Sequence, residues 1–326
     1  MKEERQRPRS GRLQGFLRDR NPPERTPVLR QQATKLGGQG EALATWVFWC
    51  LVTLAVLVTY SRLEPVELYH TSEDGVRGGL GRALVLLNFP VALVAVAITL
   101  VAVAALSRAA WWAAAPGIAL CAVVPAVVDQ DDLDAKWGNA LPALGVLIAF
   151  ALTLAATRLV EVAFAPRRPG DPARLVAGVV VLALSLPWIA PEVGFHFPGD
   201  VFRGEELYPE KDGTVIASVH LGHHHGMDGA LLVLTSLLLS RVRVAEARLR
   251  FALAAYLGLM LAYGAVNFAQ DLWFEQVVKR GWTDASIPAA LLPGLRPIWA
   301  VVVVLAALAT LVLVRENDRV ETAQPA

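Results

Sequence analysis

The sequence predicts an all-α fold: a polytopic membrane bundle of about eight transmembrane helices, with both termini in the cytoplasm. Three observations predict this class. The 326 residues are 55% hydrophobic and only 18% charged, whereas soluble domains carry about 25% charged residues, and the mean hydropathy is +0.47. The apolar residues fall in blocks of about 20, the length that crosses roughly 30 Å of hydrocarbon as a helix. Lys and Arg gather on alternate connections between these blocks.

Each apolar block is predicted to be a helix, because a segment in lipid must satisfy its backbone hydrogen bonds internally. The predicted helices are 42–60, 83–106, 109–128, 137–157, 175–190, 220–240, 251–270 and 297–314. We expect membrane helices to tolerate the prolines inside helices two to five, which are Pro90, Pro116, Pro125, Pro142 and Pro187. The eight helices and their acidic, His-rich extracytoplasmic loops form one predicted domain, 42–314.

The two ends of the chain are predicted to be tails. Residues 1–41 are polar and rich in Arg, Pro and Gly, a composition typical of a disordered basic segment. Residues 315–326 form a short second tail. Both tails are predicted to be cytoplasmic.

The orientation follows from the basic residues, since cytoplasmic loops carry an excess of Lys and Arg. A cytoplasmic N-terminus and eight alternating helices place 21 Lys and Arg inside and 9 outside, but 11 Asp and Glu inside and 18 outside. The net charge of +1 therefore conceals two faces of opposite sign. We predict a plasma-membrane protein whose inner connections are short, basic and plain, and whose outer segments carry any chemistry.

The outer side also holds all six histidines. Four of them lie within nine residues that end at Asp228: His220, His223, His224 and His225. The apolar run that follows, Gly229–Ser240, is too short to span a bilayer, so its helix is expected to extend back to about position 220. The cluster would then lie in the outer leaflet or at its interface.

A helix through this segment would place His220, His224 and Asp228 on one face, each four residues from the next. Two imidazoles and a carboxylate are suitable ligands for zinc or iron, and the neighbouring Met227 would suit copper. We therefore predict a divalent metal site, zinc first, with these ligands: His220, His223, His224, His225 and Asp228. The alternative is a set of hydrogen-bonded histidines without a metal.

A stripe of polar residues follows the second-last predicted helix. Tyr256, Tyr263, Asn267, Asp271 and Glu275 recur at spacings of seven and four, so they share one helical face and become acidic toward the outer surface. Asp271 and Glu275 are the candidate catalytic residues, as a general base or as extra metal ligands. The alternative is that the stripe only forms hydrogen bonds that hold the helices together.

The leading functional hypothesis is a metal-dependent membrane enzyme, a hydrolase of a lipid or envelope substrate at the extracytoplasmic face. One alternative is a transporter or permease for a metal ion or small solute, although the middles of the predicted spans lack ionisable residues, which counts against a proton-coupled pump. The other is a non-catalytic assembly, anchoring or sensing protein that uses the outer segment 191–219. The lipid bilayer is the expected partner, and no folded nucleic-acid-binding module is predicted.

Overall fold

A computed structural model of the chain describes residues 38–62, 71, 76–129, 132–192, 207–209, 215–217, 224–278, 280–288 and 296–322. Its helices are α1 Gln39–Tyr60, α2 Gly81–Ala105, α3 Trp111–Ala122, α4 Val124–Val127, α5 Ala140–Leu159, α6 Asp171–Leu184, α7 Leu186–Glu192, α8 His224–Leu239, α9 Ala247–Trp273 and α10 Ile298–Thr322. One short antiparallel ladder pairs β1, Leu207–Pro209, with β2, Val215–Ala217. The all-α class is thus confirmed. Positions 1–37 of the predicted N-terminal tail lie outside the described residues.

Within the described ranges, five helical stretches are long and apolar enough to cross a membrane: Gln39–Tyr60, Gly78–Ala105, Trp137–Leu159, Ala247–Val278 and Ile298–Asn317. They support a membrane protein. The other three predicted spans correspond to shorter helices, namely α3 with α4, α6 with α7, and α8 alone. With 16 residues, α8 is about 24 Å long. Eight spans and two cytoplasmic termini stay predictions.

Two of the predicted helices are interrupted just before a proline. The chain leaves the helix at Val123 before Pro125, and at Ser185 before Pro187. Proline has no N–H to donate and its ring clashes with the carbonyl four residues earlier. Pro90 and Pro116 instead lie inside the unbroken helices α2 and α3.

Helix α2 occupies the centre of the bundle. It packs against α1, α3, α5, α8 and α9. In its most apolar 18-residue stretch, 78% of the residues are buried, compared with 11% in the corresponding stretch of α10. The outward face of α10 exposes Val301, Val304 and Leu308. Exposed aliphatic rows of this length are the surface that a helix presents to lipid.

Glycines allow the closest helix contacts. A Cβ added to Gly145 of α5 would lie 2.7 Å from both the Cys121 Sγ and the Gly117 carbonyl oxygen of α3. Between α8 and α9, a Cβ on Gly229 would lie 2.6 Å from the Gly264 carbonyl oxygen. Small residues let membrane helices approach in this way, since packing rather than the hydrophobic effect holds them together.

Two tryptophans of α1 form hydrogen bonds inside the bundle. Trp46 Nε1 donates to Thr153 Oγ1 of α5 at 3.1 Å, and Trp49 Nε1 donates to Thr235 Oγ1 of α8 at 2.9 Å. Their sequence position near a predicted helix end suggests headgroup anchors, but α1 begins at Gln39. Trp46 and Trp49 therefore lie about two and about three turns into the helix, and both are buried.

Candidate functional site

The predicted metal segment coincides with the start of α8, which begins at His224 and continues through His225. His220 and His223 lie outside the described residues. Asp228 is described and is partly buried on the first turn of the helix. Within the described part of the chain, no group of three or more His, Cys, Asp or Glu could hold a metal ion. The ligand set of His220, His224 and Asp228 stays a prediction.

Asp271 of α9 meets this helix start directly. Its Oδ2 accepts a hydrogen bond from the backbone N–H of Gly226 at 2.7 Å, two residues after His224. The first N–H groups of a helix lack partners within the helix, and its N-terminus favours negative charge. The carboxylate is therefore stabilised at a depth where its side chain is only 3% exposed. The structure thus brings one predicted catalytic residue to the histidine-bearing turn.

The rest of the polar stripe of α9 also faces the interior. Asn267 of α9 and Glu275, two residues beyond the end of α9 in the helical turn Phe274–Val278, are each 4% exposed, so the shared face expected from their spacing is buried. Tyr256 donates from its hydroxyl to the Leu93 carbonyl of α2 at 2.8 Å, and Tyr263 stacks on Trp299 of α10 with ring centroids 5.8 Å apart. The two tyrosines hold helices together, whereas Asp271 contacts the start of α8.

Two buried polar atoms close to Asp271 have no hydrogen-bond partner within the part of the chain that the structure describes. They are Oδ1 of Asn267, one turn earlier in α9, and Nε1 of Trp188 in α7. Trp188 packs edge-on against Phe268 with centroids 5.8 Å apart, and a Cβ on Gly226 would lie 2.7 Å from both its ring and Asp271 Oδ2. One acceptor and one donor thus remain unused around the carboxylate, as expected of a site that takes a ligand or water.

The sequence pattern alone does not connect Trp188 with this cluster. Its position depends on the break at Ser185, which separates α7 from α6 and lets α7 pack on α8. The Ser185-Leu186-Pro187 sequence was the available signal, since proline two residues on favours interruption.

A second polar cluster lies at the predicted cytoplasmic end, where the sequence predicted only plain connections. Glu41 in the first turn of α1 is fully buried, and its Oε1 and Oε2 accept the backbone N–H of Ala165 at 2.9 and 3.2 Å. Arg241 Nη1 lies 3.5 Å from Glu41 Oε1, and Arg241 Nη2 lies 3.2 Å from Asp171 Oδ2. Buried ions need such partners, so specific ion pairs and hydrogen bonds hold the connections together at this end of the bundle.

Comparison of the chain with protein-family models, curated proteins and solved structures found no match. The class that the fold defines is an α-helical membrane protein. Any activity has to be argued from the polar clusters themselves.

Proposed function

We propose that the protein is a metal-dependent membrane enzyme, a hydrolase of a lipid or envelope substrate, with its site at the predicted outer ends of α8 and α9. The observation that supports this most is the 2.7 Å hydrogen bond from Gly226 to Asp271, because it joins a buried carboxylate to the turn that begins with His224. Zinc is the first candidate metal, with copper or iron as alternatives. Its proposed ligands come from the histidine segment 220–225 and Asp228.

The chemistry that a bound zinc ion would supply is a water molecule whose pKa falls to about 7. Glu275 is the proposed general base, because a carboxylate one turn beyond Asp271 and 4% exposed can accept a proton in a site that excludes most water. Asp271 already accepts the Gly226 N–H, so its proposed role is to position the histidine-bearing turn. A lipid substrate would approach laterally from the outer leaflet.

The polar stripe favours a one-sided site over a path through the bundle. It is acidic at the predicted outer end and stops at Tyr256, whose hydroxyl is bonded to the α2 backbone. Toward the predicted inner end, the buried face of α9 continues with Leu249 and Leu253. These aliphatic side chains offer no ligands to a passing ion, which supports the enzyme over the transporter.

The first test is the metal content of the purified protein. Wild type and the control His70→Ala, which changes an outer histidine distant from the cluster in sequence, are expected to contain stoichiometric zinc. His224→Ala is expected to lose it, because it removes a predicted ligand. Wild-type protein with no stoichiometric metal, and with no increase in thermal stability on adding zinc, would contradict the proposal.

The second test measures the reaction. Reconstituted protein is incubated with a lipid extract of the cell envelope, and products are identified by mass spectrometry. Glu275→Gln is expected to keep its zinc and lose zinc-dependent hydrolysis. Zinc uptake into proteoliposomes that His224→Ala abolishes, without any hydrolysis, would support the transporter instead and overturn the enzyme.

A further inference from the structure

We propose that the predicted cytoplasmic end of the bundle binds the phosphate of an anionic phospholipid at a site formed by four arginines. These are Arg168, before α6, Arg174 in α6, and Arg241 and Arg243 between α8 and α9, and we call them the arginine cluster. This site is independent of the proposed metal site, because it lies at the opposite ends of α8 and α9.

Arg168 carries the argument. Its side chain is 5% exposed, and its Nη1 donates to Asn317 Oδ1 at 3.1 Å and to the Ser240 carbonyl at 3.4 Å. Among the described residues, its buried Nε and Nη2 have no hydrogen-bond partner. A buried charged donor without an acceptor is costly, so the protein alone leaves this guanidinium incompletely satisfied.

The two unused groups of Arg168 lie along one edge of the planar guanidinium. Two parallel N–H groups on one edge match two oxygens of a phosphate, the bidentate geometry for which arginine is preferred. Arg241 and Arg243 each leave their buried Nε without a partner as well. Three members of the cluster therefore retain unused donors among the described residues.

The charge balance also favours an anion. Arg174 pairs with Glu316 of α10 and with Asp171, and Arg241 pairs with Glu41 and Asp171. These three carboxylates face four arginines. Burial, together with the positive charges of Arg243 and Arg174, lowers the pKa of Arg168 to about 10, which is the direction expected where positive charge is in excess.

The residues around the arginine cluster favour a lipid over free phosphate as its ligand. A small hollow beside Ser240 and Asn317, whose oxygens accept hydrogen bonds from Arg168, is lined by Leu239, Leu253 and Leu313, so aliphatic surface adjoins the arginine cluster. Basic pockets between helices on the cytoplasmic side are typical sites for anionic headgroups. The free edge of Arg168 is closed to solvent, so binding of the headgroup requires a local rearrangement of the side chains around it.

The experiment compares ligands on delipidated full-length protein in detergent. Thermal unfolding is measured with phosphatidylglycerol, with phosphatidylcholine and with inorganic phosphate, and binding is titrated by native mass spectrometry. Phosphatidylglycerol is expected to raise Tm and to bind, while the other two have little effect. Arg168→Gln is expected to weaken phosphatidylglycerol binding by about tenfold or more, since it removes charge-assisted hydrogen bonds.

Arg167→Gln is the matched control, because Arg167 is the exposed neighbour of Arg168 and should bind as wild type does. Arg243→Gln removes a second donor from a different loop and is the test if Arg168→Gln does not fold. Equal losses in Arg167→Gln and Arg168→Gln, or equal binding of phosphatidylcholine, would overturn the site. Equal stabilisation by inorganic phosphate would overturn the assignment to a lipid.

Discussion

Replacing Glu41 with Gln tests whether the start of α1 is held by charge. The substitution keeps the shape and one carbonyl oxygen of a side chain that is fully buried. It removes the negative charge that faces Arg241 at 3.5 Å and weakens the acceptor of the Ala165 N–H, which is bonded at 2.9 Å. Unlike truncation to Ala, it creates no cavity, so the loss reports on electrostatics.

The magnitude follows from these contacts. Removing one partner of a fully buried ion pair costs about 3–5 kcal/mol. Arg241 keeps Asp171 at 3.2 Å and the Ala165 carbonyl at 2.9 Å, and its side chain is 22% exposed, which lowers this figure. Turning charge-assisted hydrogen bonds into neutral ones adds about 1 kcal/mol. We expect Glu41→Gln to lower the free energy of unfolding by about 2–3 kcal/mol.

The assay is reversible unfolding in mixed micelles of a mild detergent and dodecyl sulfate, followed by circular dichroism. Glu161→Gln is the control, because Glu161 lies exposed in the connection between α5 and α6 and should change stability by less than about 0.5 kcal/mol. In an Arg241→Gln background the effect of Glu41→Gln should shrink, since the pair is already broken. Equal effects of Glu41→Gln and Glu161→Gln would refute the reasoning.

The remaining predictions concern packing, a buried hydrogen bond and orientation. Gly145→Ala should destabilise the protein by about 1–3 kcal/mol in the same assay, because the new methyl would lie 2.7 Å from Cys121 Sγ. Thr235→Val should cost about 1–3 kcal/mol, since the buried Trp49 indole loses its acceptor. In a cysteine-free background, Trp137→Cys should react with an impermeant maleimide on intact cells, because the ring is 95% exposed at the predicted outer end of α5.

Each of these has a matched control. Gly178→Ala should be well tolerated, because its Cβ would meet only Leu234 Cδ2 at 3.6 Å. Thr157→Val should have little effect, since that hydroxyl donates only within its own helix, to the Leu154 carbonyl. Glu161→Cys should stay unlabelled until the cells are opened. Labelling of Glu161→Cys but not of Trp137→Cys on intact cells would mean that the predicted orientation is inverted.

Patterns that act within one helix were predictable from the sequence. The spacing of Asn267, Asp271 and Glu275 placed them on one face, and all three are buried. Blocks of apolar residues likewise located the helices, although α1 begins at Gln39 and α9 at Ala247, a few residues before the predicted starts. Periodicity and length are local properties that one sequence contains.

Contacts between distant segments were not predictable in the same way. Nothing in the spacing of Glu41, Ala165 and Arg241 indicates that they meet, because their contact depends on how α1, α6 and α8 pack. The count of charged residues showed that the inner connections are basic, but it did not predict that their arginines form ion pairs. The meeting of Asp271 with Gly226 depends similarly on the close approach of α8 to α9, which Gly229 and Gly264 permit.

The pairing of Glu41 with Arg241 has a consequence for biosynthesis. The two residues are 200 positions apart in the chain, and ribosomes add about 5–20 residues per second. Arg241, which pairs with the buried carboxylate of Glu41, is therefore synthesised about 10–40 s after Glu41. During that interval Glu41 has to stay in water at the membrane surface or be shielded by the insertion machinery. The start of α1 can thus reach its final packed position only late in assembly, after α8 has been inserted.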